Sequence, residues 1–278
     1  MFLNFYYLLV LLGLVVFTLY GEPYLSAKTY NLLSNLAIGA IGAILGMAIT
    51  SFTELRGKLW TCLVAQVGYH NTYIRVSVAY LFKIYVDGRY LLVRSRNVPG
   101  QFQPVGGVYK RLRDSVEKLN QLEVLDDKEI PICDTTRLDL RVRVKGKHLA
   151  AFIKWFESKE DREISHWREF CEELVQPKVL SSAVFPHVNY RFLHQNPYYL
   201  HYSEHYGCQE MLVHEVYELL PSPKQLEEIR QLAATPSSDF QWADENAICK
   251  LGYTSGNAKP FSIGEHTNTL FNKAYRVK

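Results

Sequence analysis

From Phe2 to Tyr20 the chain is almost entirely apolar and carries no charge. A second uncharged run, rich in Gly, Ala, Ile and Leu, extends from Asn31 to Phe52. At 1.5 Å per residue the first run spans about 28 Å as a helix, close to the hydrocarbon thickness of a bilayer. Neither run has a polar face, so a transmembrane hairpin is expected rather than a buried soluble one. The bend between them, Gly21 to Tyr30, contains Pro23 and only two charges, Glu22 and Lys28. No basic stretch precedes the first run and no small-x-small pattern lies near Gly21, which argues against a cleaved leader. Arg56 and Lys58 follow the second run. Positive residues stay on the cytoplasmic side, so the N-terminus and the large C-terminal portion are both expected there. Gly42 and Gly46 form G-x-x-x-G, with Asn35 one turn before Gly39. Small residues let helices approach closely in lipid, either within the hairpin or between protomers.

Beyond residue 54 the periodicity changes. Tyr73 to Val86 alternates as a strand, Asp87-Gly88 reads as a hairpin turn, and Tyr90 to Arg94 as the return strand. Pro104 and the pair Gly106-Gly107 mark backbone with unusual dihedrals or close approach to a ligand. Arg137 to Lys145 alternates strictly. Leu138, Leu140, Val142 and Val144 form one face; Arg137, Arg141, Arg143 and Lys145 form the other, opposed only by Asp139. Cations at about 6.8 Å suit a ligand with more than one phosphate, although a solvated strand face has the same pattern. Gly146 ends this strand, and His148 to Phe156 carries a helical apolar stripe. On a helix over Trp167 to Val175, Trp167, Phe170, Cys171 and Leu174 share one face, and Arg168, Glu169, Glu172 and Glu173 the other. Three carboxylates so close repel by a few tenths of a kcal/mol per pair. A divalent cation, a clamping arginine or a phosphate-bound metal would relieve that; a solvated acidic face is the plainer alternative. Further on, a strand is expected around Glu210 to Leu219 and an amphipathic helix from Pro223 to Ala233.

A net charge of +3 gives no bulk basis for binding a nucleic-acid polymer. The five cysteines, Cys62, Cys133, Cys171, Cys208 and Cys249, include no C-x-x-C pair, so neither a disulfide framework nor a zinc site is indicated. His187, His194, His201, His205 and His214 share no ligand spacing. No P-loop, dinucleotide fingerprint or Ser-His-Asp order is present.

A strand-turn-strand ending in Arg94, then Gln103-Pro-Val-Gly-Gly107, then Arg168-Glu-Phe-Cys-Glu-Glu173, resembles the Nudix domain. The resemblance implies an α/β/α sandwich with a mixed sheet over residues 55–278, following a transmembrane hairpin at 1–54. It aligns Gly107 with the family's loop glycine, Arg168 and Glu169 with its R-E pair, and Glu172 and Glu173 with its metal-holding pair. The spacing departs from the family pattern. Arg113 stands where a glutamate is expected, Val175 where a glycine is expected, and an insertion around 113–165 separates the two halves of the motif. Glu169, Glu172 and Glu173 are then Mg²⁺ ligands only if the protein is hydrolytic, and no cofactor is required otherwise.

Two membrane spans joined to such a domain resemble the membrane effectors of bacterial cyclic-oligonucleotide anti-phage systems (CBASS), of the SMODS-associated Nudix type. The resemblance implies a multi-pass protein of the inner membrane. It would bind a cyclic dinucleotide, oligomerise through its helices and its Nudix-like domain, and disrupt the bilayer. The ligand contacts expected are Arg94, Phe102, Gln103 and Tyr109 near the Gly-Gly pair, with Arg141 and Arg143 from the insertion. Phe102 or Tyr109 would stack a base and the arginines would grip phosphates. The alternatives are a membrane-tethered, Mg²⁺-dependent hydrolase of nucleoside diphosphate derivatives and a plain scaffold.

Overall fold

The computed structural model describes residues 2–96, 98–129, 136–253 and 258–271; side chains of residues 2–9 and 46–54 fall outside that set. The chain forms two compact units, Met1–Leu59 and Trp60–Lys278.

The first unit holds helix α1 (Phe2–Tyr20), a 3-10 turn (Glu22–Tyr24) that accepts Pro23 in its first turn, and most of helix α2 (Ala27–Gly68). The bend is tied by the Tyr30 hydroxyl, which donates to the Thr18 carbonyl at 2.6 Å, and by the Phe17 and Tyr30 rings at 6.2 Å. Among the described residues, a Cβ added at Gly39 or Gly42 would meet nothing within 4 Å. Gly46 lies in α2, but its surroundings fall outside the description. The expected spans, Phe2 to Tyr20 and Asn31 to Phe52, fall partly on side chains outside the description. Among the described residues no helix is long and apolar enough to cross a membrane. The structure thus gives two helices joined by a tied bend, and the expected transmembrane hairpin finds no support there.

The second unit is built on one mixed sheet. Its strands are β1 (Tyr73–Lys83), β2 (Tyr85–Val86), β3 (Arg89–Arg94), β4 (Gln101–Val108), β5 (Leu125–Asp126), β6 (Arg141–Lys145), β7 (Tyr190–Gln195), β8 (His201–Ser203), β9 (Cys208–Leu219), β10 (Phe240–Ala243) and β11 (Ser262–Ile263). Strand β1 is central. Strand β9 runs parallel along one of its edges, while β4 and β6 share the other edge end to end, both antiparallel. The two meet at Val78, whose N–H donates to Leu140 and whose carbonyl accepts from Tyr109. The turn before β3 forms because Asp87 and Gly88 both take positive φ, 46° and 82°, as a primed hairpin turn requires.

Alternation along the strands divides the core. Tyr80, Phe82, Leu91, Val93, Val105, Val142 and Val144 face a large cluster. It is closed by α4 (Gly146–Ser158), α5 (Trp167–Phe170) and α6 (Pro223–Ala233). Tyr90, Leu92 and Phe102 face a smaller cluster with Ile248 of α7 (Glu245–Cys249), and Leu81 one with Leu270. Helix α6 starts where a Ser222–Gln225 capping box and Pro223 in its first turn place it. The expected insertion supplies α3 (Ser115–Gln121), β5, β6 and α4; α3, β6 and α4 contribute to the main core, while β5 lies along the edge of β6. Gly146 lies where a Cβ would meet the carbonyls of Ala65 and Tyr69 at 2.2 and 2.4 Å, so residues 60–68 of α2 can seat on the start of α4.

Two expectations are corrected. The Gly106-Gly107 segment is not a loop but part of β4, because its partners are the buried Leu81 and Tyr80. The strand expected from Arg137 begins only at Arg141. Asp139 closes a turn onto Thr136, and the Leu140 N–H goes to Tyr109.

Candidate functional site

The stretch from Trp167 does not continue as one α-helix. After α5 it widens into a π-turn, Cys171–Val175, with the Gln176 N–H reaching the Cys171 carbonyl at 2.8 Å. Phe170 and Leu174 remain fully buried, but the acidic side is not a solvated face. Val175 stays helical, and the left-handed residue falls later, at Lys178 (φ 64°).

Glu169 is 8 % exposed and points at β4. A Cβ on Gly107 would lie 2.1 Å from the Glu169 Cδ, so the glycine is what admits the carboxylate. Gly106, at φ 146°, aims its N–H at Glu173 Oε2, 2.9 Å away. The glycine pair and the acidic turn therefore come together, although the insertion separates them in the chain.

Arg168 organises the rest. Its Nε and NH2 bind Glu163 at 2.9 and 3.0 Å, and its NH1 reaches Glu169 at 2.5 Å and Glu172 at 3.5 Å. Its NH2 also donates to the Val108 carbonyl at 2.9 Å, so each guanidinium nitrogen is engaged. Burial works against the Arg168 charge, but Glu163 and Glu169 outweigh it and its pKa lies above the ordinary arginine value. Burial raises the Glu169 pKa, partly offset by Arg168. Burial likewise pushes Glu173 up to about 8, opposed by the Gly106 N–H. Arg96 arches over the turn, its NH2 donating to the Glu172 carbonyl at 3.3 Å.

Arginine is thus the cation that relieves the glutamates. Among the described residues no three Asp, Glu, His or Cys side chains are gathered to hold a metal. Arg168 engages two of the three carboxylates expected as Mg²⁺ ligands, and Glu173 faces a backbone N–H. As arranged, this donor set does not fit a three-carboxylate metal site.

The remaining expected contacts scatter. Arg94 and Phe102 are cross-strand partners with the guanidinium 5.8 Å from the ring, but Phe102 is buried among Leu92, Ile248 and Ile263. Arg94 donates to the Ser238 carbonyl at 3.0 Å. Gln103 is half-buried in β4, and alternation puts it on the Gly107 side of the sheet. Arg141 and Arg143 project from the opposite side, since Val142 and Val144 fill the main core. Phe102 lies six positions along β4 from Val108, opposite Ala79, while Arg141 is opposite Ser77; that places them about 27 Å apart at 3.4 Å per residue. One small ligand cannot touch both.

Tyr109 is fully buried, which rules out its expected role as an open stacking platform. Its hydroxyl donates to Glu215, as does that of Tyr217 at 2.8 Å, and His166 Nε2 lies 2.7 Å from the Tyr109 oxygen. With both hydroxyl protons on Glu215, His166 donates from Nε2 and remains neutral; burial lowers its pKa to about 4. Sequence reasoning missed this cluster, as it missed Glu163 and Arg96. Glu163 sits five residues before Arg168, a separation no helical or strand period would single out.

The family model of the SMODS-associated NUDIX domain matches residues 73–271. No curated protein and no solved structure matches the chain significantly.

Proposed function

The chain belongs to the SMODS-associated NUDIX domain family, and on that premise we propose that it is a ligand-operated antiviral effector of the CBASS kind. Its NUDIX domain captures a cyclic dinucleotide without consuming it. Capture favours an oligomer, and the N-terminal helices then breach the inner membrane. The observation that carries the binding-only reading is Arg168, which engages two of the three carboxylates a hydrolytic metal would need. The membrane arm is supported by the uncharged runs and by the exposure of Leu12, Leu19, Leu32, Leu36 and Ile38, each 59–66 % exposed, an apolar surface that water covers poorly. Assembly follows from population shift: the ligand stabilises the oligomer by its differential affinity for it.

The test uses the purified full chain in dye-loaded vesicles with a panel of cyclic dinucleotides. Oligomer size, dye release and nucleotide integrity are recorded together. The expected result is assembly and leakage with the ligand recovered intact. Mg²⁺-dependent turnover of a linear nucleoside diphosphate derivative, abolished by Glu173→Gln and without change of association state, would establish the hydrolase instead.

A further inference from the structure

Among the described residues the Arg168 cluster gathers Glu163, Glu169, Glu172 and Glu173 around Arg168 and Arg96, which makes it a poor resting place for bare phosphates. A different cluster has the opposite balance. Tyr73 and Lys145 are directly paired between β1 and β6, and Arg143 is the next residue on the same side. The Arg143 guanidinium lies 5.5 Å from the centre of the Tyr73 ring and the Lys145 ammonium 5.4 Å from it. Both lie within the roughly 6 Å over which a ring face attracts a cation. Lys145 and Lys147 bind the two oxygens of Glu123, Lys147 at 2.5 Å, and His148 Nε2 reaches the same carboxylate at 3.0 Å. Two permanent cations, Lys145 and Lys147, therefore share the single Glu123 carboxylate, and Arg143 stands beside them across the Tyr73 ring, while the nearby Asp127 and Glu210 are taken by Arg75. Arg143 spends only its Nε, on the Asp126 carbonyl at 3.1 Å. Its two terminal nitrogens face no carboxylate among the described residues.

Glu123 itself is unusual. It takes a positive φ of 50°, a conformation that costs a non-glycine residue about 1 kcal/mol. Its side chain is 39 % exposed, so water and solutes reach it. Hydrogen bonds from Lys145, Lys147 and His148 hold its carboxyl down to about 2. A carboxylate that accepts from two ammonium groups and an imidazole at an open site has the donor count of a bound phosphate oxygen pair.

We infer that Tyr73, Arg143, Lys145 and Lys147 form a phosphate-binding site on the sheet side opposite the Arg168 cluster, with the Glu123 carboxylate as an internal stand-in that phosphate displaces. Arg143 supplies a planar fork and Lys147 a mobile point charge, the combination suited to a phosphodiester or pyrophosphate. The site goes beyond the proposed function, because its chemistry is the same whether the phosphate belongs to a soluble nucleotide or to an anionic lipid headgroup.

The test titrates inorganic pyrophosphate into the full chain in nanodiscs of neutral phosphatidylcholine. Wild type, Arg143→Ala/Lys147→Ala and Glu123→Ala are compared, with Lys147→Ala alone guarding against misfolding of the double variant. The double variant is expected to bind more than tenfold weaker. Glu123→Ala is expected to bind several-fold tighter, since its competitor is gone. A purely structural Glu123 would lower stability and leave pyrophosphate affinity unchanged. Two further arms identify the source. Loss of pyrophosphate affinity in phosphatidylglycerol nanodiscs marks a lipid headgroup, and competition by a cyclic dinucleotide marks a soluble ligand. Unchanged pyrophosphate affinity in the double variant and in Glu123→Ala overturns the inference, whatever the Arg168 cluster is found to do.

Discussion

Glu173→Gln isolates the electrostatic cost of the acidic turn. Burial raises the Glu173 pKa to about 8, against an ordinary value of 4.5. Between those two pH values the folded chain holds a proton that the unfolded chain has released. Stability attributable to this group is therefore full below pH 4.5 and declines as the pH rises toward 8. At about 1.4 kcal/mol per pH unit the ceiling is roughly 5 kcal/mol. The side chain is only half-buried, so about 2 kcal/mol is the realistic loss. Glutamine has the shape of the protonated acid and still accepts the Gly106 N–H now 2.9 Å from Glu173 Oε2. The variant should match wild type at pH 5 and exceed it by about 2 kcal/mol at pH 8.5. Urea denaturation followed by tryptophan fluorescence at both pH values measures this. A variant less stable than wild type at pH 8.5 would show that a cation compensates the Glu173 charge in the folded chain, and the reasoning would be wrong.

Gly107→Ala should cost about 2–3 kcal/mol, because the new Cβ lands 2.1 Å from Glu169 Cδ and must drive the carboxylate off Arg168. Adding Glu169→Ala should recover part of that loss in a double-mutant cycle, and simple additivity would contradict the contact. Acid should destabilise the domain. Burial holds His166 and His266 near 4, and burial with a neighbouring imidazole holds His214 near 3. Their contribution is complete above pH 6.5 and is lost as the pH falls toward 4. Between pH 7 and pH 5 each imidazole loses about 2 kcal/mol, against a gain of about 1 kcal/mol from Glu173, so a net drop of about 4–5 kcal/mol is expected in urea denaturation, and His166→Gln should remove about 2 kcal/mol of it.

Local periodicity carried much of the fold. The Asp87-Gly88 turn, the Pro223–Ala233 helix and the two-faced strand at Arg141–Lys145 follow from dihedral preference, capping and alternation, which act within a few residues. The meeting of the glycine pair with the glutamates was legible only through a family resemblance, since it spans the insertion. Three things required the folded chain. Tyr109 could be a surface platform or a core residue on sequence alone; the junction of β4, β1 and β6 at Val78 put it inside, against Glu215. Arg168 found Glu163 across a loop with no periodic signature. Alternation told which residues of β6 share a face, but not which side of the sheet that face would occupy. The register of Ser77 against Arg141 and of Tyr80 against Gly107 decided it, separating the arginines from the acidic turn. Alternation is a property of one strand, whereas the side it presents depends on pairing between segments far apart in the chain.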